Sequence, residues 1–135
     1  MLSGLHVLIV EDDPTIAMFL GDVIARAEGT SVGPLSSLRE ARVFLGTTQQ
    51  VDAAVLDVNL SDGDITPVLE ALRARGTPVV IYTASTDLPQ RVRDRHADVV
   101  VLHKPVQPGR LIGELRRQMS GRTSTSSTPL STALG

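Results

Sequence analysis

Apolar and polar positions fall into alternating blocks along this chain: short apolar runs that end in a polar residue, then stretches whose apolar residues recur at helical spacing. The first run, Leu5 to Val10, has the continuous apolar character of a buried parallel strand. Asp13 follows as an N-cap with Pro14 at the first helical position, and Ile16, Leu20, Val23, Ile24 and Ala27 share one face until Gly29 closes the helix. A weaker strand covers Ser31 to Leu35. Ser36 or Ser37 caps a second helix whose inner face is Leu38, Ala41, Phe44 and Leu45. Asp52 to Asp57 is a second strong strand and "VNLSDGD" a loop. Ile65, Val68, Leu69 and Leu72 mark a third helix that Gly76 stops. "PVVIYT" is a strand ending at Thr83, and a short polar helix covers Leu88 to Arg95. "DVVVLHKP" holds the last strand, which breaks at Lys104 and Pro105, and Leu111, Ile112, Leu115 and Met119 form the last helical stripe.

Five strands and five helices in strict alternation predict an α/β fold, a doubly wound parallel sheet. Right-handed crossovers restrict its topology, and the flavodoxin-like strand order 2-1-3-4-5 is one of the two common solutions. Residues 1–119 then make one domain. From Ser120 to Gly135 the chain has nine Ser or Thr in sixteen residues and reads as a disordered tail.

Composition narrows the function. The chain has 135 residues, 41% apolar and 21% charged, which suits a single globular domain. At that length no separate DNA-binding or enzymatic output domain is expected. Phe19, Phe44 and Tyr82 are its aromatics, so the core must be aliphatic. A net charge of −2 gives no reason to expect nucleic-acid binding. The absence of cysteine excludes disulfides, thiolate metal sites and thiol catalysis. No apolar run is long enough to span a membrane, and the N-terminus lacks the basic region and cleavage site of a signal peptide, so a cytoplasmic protein is expected.

In doubly wound sheets ligands bind at the carboxyl ends of the strands. The residues that end each strand therefore matter most: Glu11 and Asp12, then Asp57, Thr83 and Lys104. The predicted strand order brings all five to one rim. Carboxylates so close repel one another and raise each other's pKa unless a cation sits among them. A hard divalent cation with oxygen ligands fits, and Mg2+ uses few protein carboxylates while keeping waters. Beside such an ion Asp57 can attack phosphorus as a nucleophile. Lys104 would hold one phosphoryl oxygen and the Thr83 hydroxyl another, with small Ala84 leaving access.

Together, "VLIVEDDP", "VLDVNLSDGD", "VVIYTAS" and "LHKP" resemble the four motifs of the two-component response-regulator receiver domain. The resemblance covers Leu5 to about Met119. It implies that Glu11 and Asp12 are the acidic pair, with Asp12 a direct Mg2+ ligand, and that Asp57 is the phosphoacceptor and also a ligand. It implies that Asn59 ligates the metal through its backbone carbonyl, that Thr83 follows the phosphoryl group, that Lys104 is the family's lysine, and that a cis peptide precedes Pro105. The implied function is a single-domain regulator that takes a phosphoryl group from a sensor histidine kinase or His-phosphotransfer protein and signals through altered protein contacts. It catalyses only its own phosphotransfer and dephosphorylation. One position departs from the family: Val101 stands where receivers usually carry Tyr or Phe, three residues before the lysine.

Two other classes fit less well. A haloacid-dehalogenase-type phosphatase needs a nucleophilic Asp where "EDDPT" has Glu11. A flavin mononucleotide module needs a Ser/Thr/Gly loop after the first strand, and this acidic loop would repel phosphate. His6, His96 and His103 carry no metal-ligand spacing, and Asp13, Asp62 and Asp64 read first as caps or solvated loop acids.

Overall fold

Asp13 starts the first helix as its position predicts. Its carboxylate accepts from the backbone N–H groups of Thr15 and Ile16 at 2.9 and 3.4 Å, and Pro14 follows with no N–H to leave unpaired. The same logic places Ser37 ahead of the second helix, where its hydroxyl accepts from Glu40 N–H at 3.0 Å. Gly76, at φ +77°, supplies the left-handed residue that ends the third.

In this computed structural model residues 2–131 are described, with side chains through residue 120. The elements run β1 (His6–Val10), α1 (Pro14–Arg26), β2 (Thr30–Leu35), α2 (Leu38–Leu45), β3 (Ala53–Leu56), β4 (Asn59–Leu60), β5 (Gly63–Asp64), α3 (Thr66–Ala74), β6 (Val79–Thr83), α4 (Gln90–Arg95), β7 (Val100–His103) and α5 (Pro108–Ser131). The main sheet has five parallel strands in the order β2-β1-β3-β6-β7, which is the expected order 2-1-3-4-5 when its strands are counted alone. β4 and β5 form a separate antiparallel hairpin within the stretch expected to be a loop.

Alternation along each strand sends neighbouring side chains to opposite faces. Leu8, Val10, Leu56 and Ile81 pack into one cluster with residues of α2, α3 and α4. Val7, Ile9, Val55, Val80, Tyr82 and Leu102 pack into the other, with residues of α1 and α5. The core is aliphatic apart from Phe44 and Tyr82. Each fully buried Leu or Ile contributes about 1.5–3 kcal/mol relative to exposure.

The turn after α1 differs from expectation. Glu28, not Gly29, takes the left-handed conformation, at φ +69°, and its carboxylate accepts from Ser3 Oγ at 3.0 Å. Gly29 is small for packing: a Cβ there would lie 2.9 Å from Leu2 Cβ and 3.0 Å from Ile24 Cγ2. Leu2 is fully buried, and its N–H donates to the Ala27 carbonyl at 2.7 Å. Gly29→Ala should therefore destabilise by about 1–3 kcal/mol, the range for overpacking a filled site. Urea unfolding would measure this, and an unchanged midpoint would refute the packing argument.

The backbone of α5 runs from Pro108 to Ser131. The side chains of residues 121–131 and all of residues 132–135 lie outside the described residues. Among the described residues no helix is long and apolar enough to cross a membrane.

Candidate functional site

Backbone bonds at the carboxyl rim fix where each strand-end side chain emerges. Glu11 N–H donates to the Leu35 carbonyl at 2.9 Å, Asp57 N–H to the Val10 carbonyl at 3.0 Å, and Lys104 N–H to the Thr83 carbonyl at 2.8 Å. The sheet ladder thus continues one residue past β1, β3 and β7. It converges Glu11, Asp12 and Asp57, whose carboxylate oxygens lie within 4.8 Å of one another.

Lys104 enters the same cluster. Its Nζ lies 2.8 Å from Glu11 Oε1 and 3.3 Å from Asp57 Oδ2. The peptide to Pro105 is cis, as the resemblance implied. Burial pulls the lysine pKa down, but Glu11 and Asp57 more than offset this and leave it above its ordinary value. Three carboxylates against one ammonium leave an excess of negative charge.

Glu11 is the most confined of the acids, at 1% exposure. Burial raises its pKa, and Asp57 adds to the rise. The Lys104 ammonium and the Asp13 N–H, which donates to Oε2 at 3.2 Å, offset this in part. Oε1 has the lysine against it but accepts no well-aligned hydrogen bond, so a buried lone pair is unused. The donors in this cluster are hard oxygens. Opposite ligands of Mg2+ stand about 4.2 Å apart, given bonds of about 2.1 Å, so the cluster fits a partly hydrated ion after slight closure.

A raised carboxyl pKa has a stability consequence. The folded protein holds the Glu11 proton more tightly than the unfolded chain does. Stability therefore falls as pH rises from the ordinary carboxylate value through the raised one. Without metal, the buried Glu11 carboxylate costs stability once pH exceeds its raised pKa. Glu11→Gln should raise the melting midpoint at pH 7 in chelator, because the amide carries no charge to bury. Melts of both proteins from acid to neutral pH test this; a midpoint at pH 7 no higher than wild type would contradict it.

Asp12 is half-buried, and its Oδ2 accepts from Ser61 N–H at 3.1 Å, which ties the β4–β5 hairpin to the rim. Asn59 is exposed at the start of that hairpin, and its N–H faces Asp57 Oδ1 at 3.4 Å. Thr83 is buried at the end of β6. Its Oγ1 accepts from Ser85 N–H at 3.0 Å, which leaves its own O–H free to donate. Val101 is half-buried against the α2–α3–α4 cluster, opposite Ile81 in register.

The remaining candidates lie elsewhere. His6 faces Asp52, His96 packs beside Glu70, and His103 is exposed. Asp64, just before Ile65 at the N-cap of α3, accepts from Thr66 N–H at 2.7 Å. Asp62 accepts from Leu38 and Arg39 N–H at 2.8 and 3.0 Å, and those two bonds hold its pKa below the ordinary range. It caps α2 from 24 residues away, a role without a local sequence signal. Ser61 and Ser85 act through backbone N–H groups, which no side-chain pattern announces.

Comparisons with known proteins agree with this geometry. Residues 7–116 match the family described as the response regulator receiver domain. The transcriptional activator protein IrlR of Burkholderia pseudomallei is 35% identical over 130 residues, 90% of this chain and 54% of that protein. The chain thus spans about half the length of the curated relatives it matches. A CheY-like receiver domain protein from Methanospirillum hungatei superposes with a TM-score of 0.79 at 20% identity, covering 93% of this chain and 99% of the other. The receiver domain of sensor histidine kinase PA1611 from Pseudomonas aeruginosa, whose structure has a magnesium ion coordinated in the active-site cleft, gives 0.72 at 22% identity, covering 87% and 99%. With the strand order, the acidic rim and a family match over most of its length, the chain belongs to the response regulator receiver domain family.

Proposed function

We propose that this receiver accepts one phosphoryl group on Asp57, in a Mg2+-dependent reaction, from a sensor histidine kinase or a His-phosphotransfer protein in the cytoplasm. Residues 1–119 would form the working domain. The observation that carries the reading is the convergence of Glu11, Asp12 and Asp57 within 4.8 Å, with Lys104 paired to both Glu11 and Asp57. The magnesium in the Pseudomonas receiver supports the choice of ion.

Glu11, Asp12, Asp57 and the Asn59 carbonyl are the ligands proposed for Mg2+, which when bound offsets the charge of the incoming phosphoryl group. An Asp57 carboxylate oxygen attacks phosphorus, a P–O bond forms, and the P–N bond to the donor histidine breaks. The electron pair of the broken bond returns to the imidazole. Lys104 balances one phosphoryl oxygen and the Thr83 hydroxyl donates to another. In dephosphorylation a water oxygen attacks phosphorus and gives up its proton to solvent, the P–O bond to Asp57 breaks with its electron pair returning to the carboxylate, and inorganic phosphate is released. Acetyl phosphate with Mg2+ should add one phosphoryl group to the intact mass, and chelator should prevent it; no mass gain under either condition would end the reading.

Output follows from the bond between Thr83 and Ser85. When Thr83 turns to the phosphoryl group, Ser85 N–H loses its acceptor. The segment from Ala84 to Asp87, ahead of Leu88 in the α2–α3–α4 cluster, is poorly anchored: Ala84, Thr86 and Asp87 are exposed, and Ser85 Oγ bonds within the segment, to Asp87. Val101 has no ring to swing and is stiff at χ1. Beryllofluoride should therefore shift amide resonances most at Ala84 to Leu88, with Val101 in one rotamer. Large shifts centred on Val101 and α5, with Ala84 to Leu88 unmoved, would overturn this account of the switch.

A further inference from the structure

We infer that Tyr82 is a positioning residue for the phosphoacceptor site: its ring holds the Lys104 ammonium between Glu11 and Asp57. This rests on the phosphoacceptor reading above. Lys104 Nζ lies 5.6 Å from the centroid of the Tyr82 ring. That is within the roughly 6 Å over which a cation is attracted to an aromatic face.

The backbone makes this placement specific. Tyr82 is one residue before Thr83 on β6, so its side chain leaves the opposite face of the sheet and enters the cluster under α1 and α5. It is 2% exposed and ranks among the largest fully buried side chains. Thr83 pairs in register with His103, and Lys104 N–H bonds the Thr83 carbonyl. The lysine therefore leaves the sheet just past the ring, and its side chain is 13% exposed. The ring face and the two carboxylates approach the ammonium together. A lysine with four rotatable carbons gains a fixed position this way, with the two carboxylates at 2.8 and 3.3 Å on its ammonium and the ring against it. Tyr82 does not swing as the aromatic missing at Val101 would; it is a static support on another strand.

The tests are Tyr82→Phe, which keeps the ring, and Tyr82→Met, which fills space without one. Two readouts are needed. The Lys104 Hε protons should be shifted upfield by ring current in wild type and Tyr82→Phe, and should return to ordinary positions in Tyr82→Met. This NMR result does not depend on phosphorylation, so it separates failure of the inference from failure of the phosphoacceptor reading. In the full chain with Mg2+, Tyr82→Met should weaken beryllofluoride binding and slow acetyl phosphate labelling roughly threefold to thirtyfold, the span that cation–π contacts support. Mg2+ affinity without beryllofluoride should stay within about twofold of wild type, since ring loss removes no ligand. Adding Tyr82→Met to Lys104→Ala should cause no further loss. An unshifted lysine in wild type, a Tyr82→Phe protein as defective as Tyr82→Met, or a Tyr82→Met effect that persists beside Lys104→Ala would each overturn the proposal. If Tyr82→Met does not fold, the ring-current shift in wild type and Tyr82→Phe decides.

Discussion

Asp57→Asn is expected to take no phosphoryl group from acetyl phosphate, while it folds and melts at or above the wild-type midpoint. Asparagine keeps the shape but loses the anionic nucleophile, and an amide oxygen does not form an acyl phosphate at a useful rate. The loss should exceed ~10²-fold, since nucleophile and metal ligand go together. The neighbours are poor substitutes. Glu11 is more deeply buried, with its pKa raised by that burial, and holds the Asp13 N–H. Asp12 holds Ser61 N–H. Asp57 has Lys104 Nζ at 3.3 Å, so a phosphoryl group formed there would meet a cation directly. Neutralising Asp57 also removes repulsion from a cluster with excess negative charge, so lost labelling would not signal unfolding. Intact mass and peptide mapping after treatment decide the matter. Labelling equal to wild type would assign the acceptor elsewhere.

Much of this was legible because each signal is local. A strand that ends in an acid, a Pro after an Asp and a Gly after an apolar stripe act over a few residues, and Asp13, Ser37 and Gly76 do what their positions imply. The rim was legible because parallel strands present their ends together: Glu11, Asp57 and Lys104 are brought together by the ladder bonds that the strand order dictates. What escaped depends on distant chain. Asp62 caps a helix 24 residues away. Leu2 is buried against Gly29, and Glu28, not Gly29, takes the left-handed turn. The β4–β5 hairpin is tied to the rim by Asp12 and Asp57, which accept from the backbone N–H groups of Ser61 and Asn59. Alternation along β6 alone puts Tyr82 on the face opposite Thr83. Its approach to Lys104 needs the β6–β7 register and the length of the lysine, which sequence does not supply.

Lys104→Ala is expected to separate metal binding from phosphoryl recognition. An ammonium cannot ligate Mg2+, and it competes for the same carboxylates: Nζ pairs with Glu11 at 2.8 Å and Asp57 at 3.3 Å. Removing it leaves three acids without a counter-charge, so Mg2+ should bind severalfold tighter while the metal-free protein loses stability. Beryllofluoride, which mimics the phosphoryl group on Asp57, should bind at least tenfold more weakly even at saturating Mg2+. That factor corresponds to about 1.4 kcal/mol, near the low end of a charge-assisted bond in a part-buried site. The two effects have opposite signs, which distinguishes them from general damage to the rim: a distorted cluster would lose both ligands. Calorimetric titration of Mg2+ first, then of beryllofluoride at fixed Mg2+, separates the cases. Weaker Mg2+ binding with intact beryllofluoride binding would mean that Lys104 organises the carboxylates rather than the phosphoryl group. The melting midpoint adds an internal check, because Mg2+ should restore most of the stability that the substitution removes, by occupying the place of the lost charge.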